Sequence, residues 1–381
     1  MIQLPSLSLY VHIPWCVRKC PYCDFNSHQA REGVPEQAYL EALLRDMDQE
    51  IDRLIQSHTL RPLTSIFFGG GTPSLMDPKA IAGVIDHARQ HIGFSDDIEI
   101  TLEANPGTVD SGKFTGLREA GVNRLSIGIQ SFQPQHLHTL GRIHSSTEAS
   151  EAIHKARQAG FDNLNLDLMF GLPNQTTEQA LEDIHTAINL NPEHISWYQL
   201  TIEPNTEFYR HPPKLPEDDA LWSMHQRGIE TLMSAGYEQY EVSAYARPDR
   251  QARHNLNYWQ FGDYIAVGAG AHGKSTHLEE RSIRRYWKTR LPQHYLARLD
   301  HYRAGEEFIA EEDLPFEFLM NALRLKQGVD PALFEQRTGL PLECISSSLS
   351  ELRERGLIHQ SRLQCTEQGY LYLNEVLQHF M

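Results

Sequence analysis

Long apolar runs are missing from the 381 residues: nothing approaches the roughly 18 consecutive apolar positions of a bilayer-spanning helix. Basic residues are also scarce. With 34 Lys+Arg against 50 Asp+Glu, the formal charge is −16, which argues against a sequence-independent grip on nucleic acid or an anionic membrane surface. No Lys or Arg precedes Arg18, so the basic n-region of a secretory signal is missing and the cytosol is the expected compartment. Cysteine is sparse and odd in number, five in all, which speaks against a disulfide framework. What remains, 40% hydrophobic residues with 25 Gly and 20 Pro, is a globular composition. The length suits one large domain with a smaller appendage.

From residue 6 to about 201 one theme recurs, a short β-rich apolar run followed by an amphipathic stretch. Strands are expected at Ser6–Ile13, Ser65–Gly70, Asp97–Ala104, Arg124–Ser131, Asn163–Gly171 and His194–Thr201. Helices are expected at Glu36–Leu54, Pro78–His91, Ser146–Ala159 and Thr177–Leu190. Apolar strands alternating with helices imply an α/β fold, a parallel sheet covered on its outer side. Six such units fit a partial TIM-like barrel better than a full one, with a doubly wound open sheet as the alternative. Glu103, Gln130 and Asp167 fall at or near the C-terminal ends of their strands, where either architecture binds ligands; helix capping is the competing role.

Beyond residue 201 the pattern changes. Glu217–Ala235 reads as a helix, with further strands at Tyr237–Ala246 and Tyr264–Ala271. A polar connection, His277–Asp313, leads to helices at Pro315–Lys326, Pro331–Thr338 and Leu342–Arg355, a two-strand wing (Leu357–Gln360, Leu363–Thr366) and a last helix from Gln368. That order resembles a winged helix. With 11 acidic and 6 basic residues from 311 to 381, it suits packing or docking rather than DNA. The expected division is 1–236 as core, 237–310 as sheet extension and connection, and 311–381 as the C-terminal domain.

Three of the five cysteines, Cys16, Cys20 and Cys23, are clustered; Cys344 and Cys365 lie far off and read as structural. Three thiolates without a fourth suit an iron–sulfur cluster with one open iron. Zinc with His12 or His28 as fourth ligand, and plain structural thiols, are the alternatives. Gly69-Gly70-Gly71-Thr72-Pro73 follows an apolar strand, and its glycines allow close backbone approach to a ligand. It lacks the lysine of a phosphate-binding Walker loop.

Together these motifs resemble the radical S-adenosylmethionine (SAM) superfamily, more narrowly its oxygen-independent coproporphyrinogen III oxidase-like group. The likeness is carried by Tyr10-x-His12-Ile13-Pro14-x-Cys16-x3-Cys20-x-Tyr22-Cys23, the glycine run, Glu103-x-Asn105-Pro106 and Ser126-Ile127-Gly128-x-Gln130-Ser131-Phe132. Gly141-Arg142-x-His144 and Asn165-x-Asp167-Leu168-x-x-Gly171-Leu172-Pro173 extend it. The matches run from residue 10 to about 274.

The resemblance implies a partial (β/α)6 radical SAM barrel with a 4Fe–4S cluster on Cys16, Cys20 and Cys23. It implies Tyr10, Gly70 and Glu103 beside one SAM molecule, and Tyr22, Gly71, Thr72, Gln130, Arg142 and Asp167 at positions around a second. Cluster reduction would cleave the sulfonium to a 5′-deoxyadenosyl radical, chemistry supplied by the cofactor.

Two departures bear on activity. Phe25 stands where the oxidases carry a fourth cysteine, and the cluster motif begins at residue 16, where the oxidases have a substantial extension before it. Both match the HemW branch, haem chaperones that pass haem to client proteins. His254-Asn255-x-x-Tyr258-Trp259 matches that branch's haem motif, with His254 as the expected ligand; apart from the resemblance, a packed histidine is the plainer reading. Nearby Arg281, Arg284, Arg285, Lys288 and Arg290 are candidate partners for propionates, with a solvated charged face as the alternative. The expectation is therefore haem, cluster and SAM binding with little or no decarboxylation. It leaves room for a homodimer and for membrane contact through a client, with no nucleic-acid partner.

Overall fold

The computed structural model describes residues 2–381. Its strands, in chain order, are β1 (Leu7–Ile13), the short β2 (Trp15–Cys16) and β3 (His28–Gln29), β4 (Leu63–Gly70), β5 (Phe94–Ala104), β6 (Arg124–Gln130), β7 (Leu164–Phe170) and β8 (His194–Gln199). There follow β9 (Glu238–Glu241), β10 (Ala244–Ala246), β11 (Asp263–Val267), β12 (His272–His277), β13 (Ser282–Lys288) and β14 (Arg303–Phe308). All but β2 and β3 form one sheet, in the order β14-β13-β12-β11-β1-β4-β5-β6-β7-β8-β10-β9.

The six expected strands are β1 and β4 to β8, and every neighbouring pair among them is parallel. They are buried on both faces, as the nearly unbroken burial of β1 and β7 shows; one face carries an apolar row such as Leu7, Leu9, Val11 and Ile13, and the other polar residues such as Ser8, His12 and Asn165. Helices Glu36–Gln56, Pro78–His91, Ser146–Gln158 and Thr177–Asn189 supply the outer layer. Two begin with capping boxes, Ser145 with Glu148 and Thr176 with Gln179, each stabilising its first turn by about 1 kcal/mol. Because the crossovers make the strands parallel, all their C-terminal ends meet at one edge.

The segment after residue 236 extends this same sheet at both margins. Strand β10 adds antiparallel to β8 and β9 antiparallel to β10, while β11 pairs parallel with β1 as a seventh member. Strands β12, β13 and β14 then continue antiparallel. The stretch expected as a polar connection therefore contains β13 and β14. Arg284 of β13 pairs with Glu306 of β14, so the charged residues are cross-strand partners.

A second apolar core gathers Phe318, Leu319, Phe334, Leu349, Leu352 and Val376 from the C-terminal helices, with Leu363 from between them. The expected wing is reduced to the single bridges Val329↔Leu363 and Ile358↔Cys365. Cys365 is buried there, but Cys344 is exposed, so only the former packs as a structural thiol. No helix among the described residues is long and apolar enough to cross a membrane.

Candidate functional site

The cysteine loop is held at both ends by backbone pairing. Trp15 and Cys16 pair with His28 and Gln29, and the Thr72 amide donates to the Trp15 carbonyl at 2.7 Å. Between these clamps, Lys19 Nζ donates to the carbonyls of Phe25 and Ser27 at 3.1 and 3.2 Å. Asn26 Nδ2 reaches out of the loop to the carbonyls of Ala269 and Arg290, at 2.9 and 2.8 Å. Cys16, Cys20 and Cys23 all line one cavity of about 330 Å³. His12 and His28, the candidates for a fourth zinc ligand, do not line it. Both His12 nitrogens are already engaged, by the Tyr10 hydroxyl at 3.0 Å and the Asn26 carbonyl at 2.9 Å. Among the described residues no three His, Cys, Asp or Glu side chains converge on a single ion-sized point.

The cavity also takes in Tyr22, Gly70, Gly71, Thr72, Glu103, Gln130, Arg142 and Asp167. Gly70 has φ 113°, and a Cβ there would lie 2.4 Å from the His12 ring; a Cβ on Gly71 would lie 2.6 Å from the Trp15 carbonyl. Only glycine lets this ledge pass. The Gly70 amide donates to Glu103 Oε2 at 3.1 Å. Burial, and then Asp167, push the Glu103 carboxyl up to about 8.

Asp167 accepts from Ser126 Oγ at 2.9 Å and Asn165 Nδ2 at 2.8 Å, and burial raises its pKa. Gln130 sits at a break in register with φ 71°, a strained value for a non-glycine residue. Its side-chain carbonyl accepts from the Tyr198 hydroxyl at 2.7 Å. Arg142 donates to Cys20 Sγ at 3.7 Å and to the Gly128 carbonyl at 2.5 Å.

Among the described residues, neither Glu103 nor Asp167 is in an ion pair, so two acids face this cavity without a directly bonded protein cation. Two unpaired acids, one arginine against a thiol and a glycine ledge suit a ligand that brings its own positive charge. S-adenosylmethionine carries an ammonium, a sulfonium and a carboxylate, and the three thiols beside it are iron donors. The residues present fit both groups.

A second cavity of about 610 Å³ adjoins the first, and both are lined by Phe25, Gly70 and Glu103. Tyr10, Tyr258, Trp259, Tyr264, His272 and Trp287 form much of its wall. Phe25 is 58% exposed. Of the residues expected to bind haem, Tyr258 and Trp259 line this cavity, whereas His254 and Asn255 do not.

His254 is fully buried in a seven-residue helix, Arg253–Trp259. Its Nδ1 is 2.9 Å from Ser65 Oγ and its Nε2 2.8 Å from the Tyr258 hydroxyl. Burial and the nearby Arg124 hold it down to about 3, so it is neutral, with both ring nitrogens committed. To ligate iron it must first give up its bond to Tyr258 or to Ser65.

Of the expected propionate partners, Arg285, Lys288 and Arg290 line the cavity, while Arg281 and Arg284 do not. Arg285 is paired with Glu317 and Lys288 with Asp46 and Glu50. Ser126, Tyr198, Asn26, His272 and Trp287 escaped the sequence reading. Ser126 lay inside a recognised motif, but the others carry no local spacing signal.

The signature of the Radical SAM superfamily matches residues 10–187, and that of the HemN C-terminal domain residues 309–372. The chain is 50% identical over 383 residues to "Heme chaperone HemW" of Haemophilus influenzae, covering 100% of this chain and 99% of that one. It is 48% identical to the Escherichia coli protein of the same name, with 100% of both chains covered. Among solved structures, coproporphyrinogen III oxidase (HemN) from Escherichia coli matches with a TM-score of 0.82 at 23% identity, over 99% of this chain and 90% of that one, a likeness of fold. With the thiol loop, the glycine ledge and the sheet edge all in place, and relatives matching from end to end, the chain belongs to the HemW family of the radical SAM superfamily.

Proposed function

We propose that this chain is a haem carrier, taking up haem and handing it to client proteins. It belongs to a superfamily whose members use a 4Fe–4S cluster and SAM. Cys16, Cys20 and Cys23 would hold the cluster. Tyr10, Gly70 and Glu103 would hold one SAM molecule, with Tyr22, Gly71, Thr72, Gln130, Arg142 and Asp167 at positions that resemble a second. When bound, these groups supply radical or redox chemistry. The protein's own part is to match the ligand's charge with Glu103 and Asp167, to bring backbone close at Gly70 and Gly71, and to aim Arg142 at the cavity.

The observation that carries the reading is the pair of adjoining cavities, one thiol-lined and polar, the other larger and walled by aromatic rings. Flat aromatic faces suit a porphyrin. Phe25, exposed between the two, stands where the oxidases of this group have a cysteine, which favours holding a porphyrin over decarboxylating it. A cytoplasmic location, a three-part division at 236 and 310, a homodimer and membrane contact through a client belong to the same proposal.

Anaerobic reconstitution tests it, with hemin transfer to an apo-haemoprotein and coproporphyrinogen III turnover scored side by side. Transfer without turnover is expected. Robust conversion to protoporphyrinogen IX would establish the oxidase instead.

A further inference from the structure

The larger cavity contains an imidazole with no role so far. His272 opens β12 and lines this space. His12 and His254 have both ring nitrogens engaged; the His272 ring makes no hydrogen bond among the described residues and is exposed. Pairing of β12 with β13 puts Trp287 directly across from His272, with ring centroids 6.5 Å apart and planes 29° from parallel. Burial, and then Arg285 and Arg290, lower the His272 pKa, which keeps a nitrogen lone pair free for a metal. Arg290 also lines the cavity and, among the described residues, is in no ion pair; its Nε donates to Asn26 Oδ1 at 3.3 Å.

We infer that His272, rather than the motif histidine His254, supplies the axial nitrogen to haem iron, with Arg290 meeting a propionate. The inference rests on reading the chain as a haem carrier. In it, Trp287 and Phe25 offer the porphyrin aromatic faces. His254 is a positioning residue, tying Tyr258 to Ser65 of β4 behind the cavity wall.

The test is hemin titration of the full-length protein by absorbance and electron paramagnetic resonance. His272→Ala should weaken binding at least tenfold and change the axial-ligand signature, and added imidazole should restore that signature. Its urea midpoint should stay at the parent value, because the ring holds nothing in place. His254→Ala, or His254→Asn where the alanine does not fold, should lower the urea midpoint while keeping the parent signature. An unchanged signature and affinity in His272→Ala would overturn the assignment, as would loss of the signature in a folded His254 variant alone. If the parent protein binds no hemin, the carrier reading itself fails, and the two failures are thereby distinguished.

Discussion

At the scale of single residues the site depends on two positions with opposite physics. Gly70 has no room for a side chain: φ is 113° and the blocking His12 ring is locked between Tyr10 and Asn26. Gly70→Ala should therefore cost about 1–3 kcal/mol in urea unfolding and reduce iron content after reconstitution. Glu103 is held in the folded protein against its charge, its carboxyl raised from 4.5 to about 8 by burial and then Asp167. A raised value means that folding favours the protonated acid. That contribution is complete below the unfolded value near 4.5 and is lost as pH rises through about 8. Glu103→Gln removes the penalty. The ligand-free variant should be more stable than the parent above pH 8, by on the order of 1–3 kcal/mol in chemical denaturation, while calorimetry shows weaker binding of SAM. Equal stability at pH 8.5 would show that Glu103 is solvated there.

At the scale of elements, legibility followed burial. Strands β1 and β4 to β8 each carry a buried apolar row and were readable one by one, and with them the edge that holds Glu103, Gln130 and Asp167. Strands β13 and β14 were not, because half their side chains are charged and acquire meaning only through a register that sets Arg284 diagonally across from Glu306. His272 was hidden in the same way: its value comes from Trp287 across the ladder, not from any neighbour in sequence. His254 shows the converse, a readable motif whose histidine the fold encloses. The added strands are held to the core by a buried cluster. Lys288 of β13 meets Asp46 and Glu50 of helix Glu36–Gln56, with Glu50 Oε1 at 2.6 Å. Arg303 and Tyr295 complete it, the Tyr295 hydroxyl donating to Asp46 at 2.7 Å. Lys288→Met leaves two acids buried without their lysine and should lower stability by about 3–5 kcal/mol at pH 7 in urea unfolding. A loss below about 1 kcal/mol would mean that water replaces the ammonium.

At the scale of the whole molecule, the two cavities share a wall of Phe25, Gly70 and Glu103, so a ligand in one shapes the boundary of the other. Hemin affinity should change when SAM is present, on the order of tenfold, and SAM affinity should change by the same factor when hemin is present. Paired titrations check the reciprocity; identical hemin curves with and without SAM would show the wall to be rigid.

The margins of the great sheet have a further consequence. Strands β14 and β9 are its two ends, and among the described residues they do not pair with each other. A closed barrel fixes its bore through an unbroken ring of hydrogen bonds. Here the margins are joined instead through the C-terminal region: Leu325 bridges to Glu241 of β9, and Glu317 pairs with Arg285 of β13. The ring is thus closed by side chains and a single bridge rather than by a ladder, which makes the C-terminal helices its clasp.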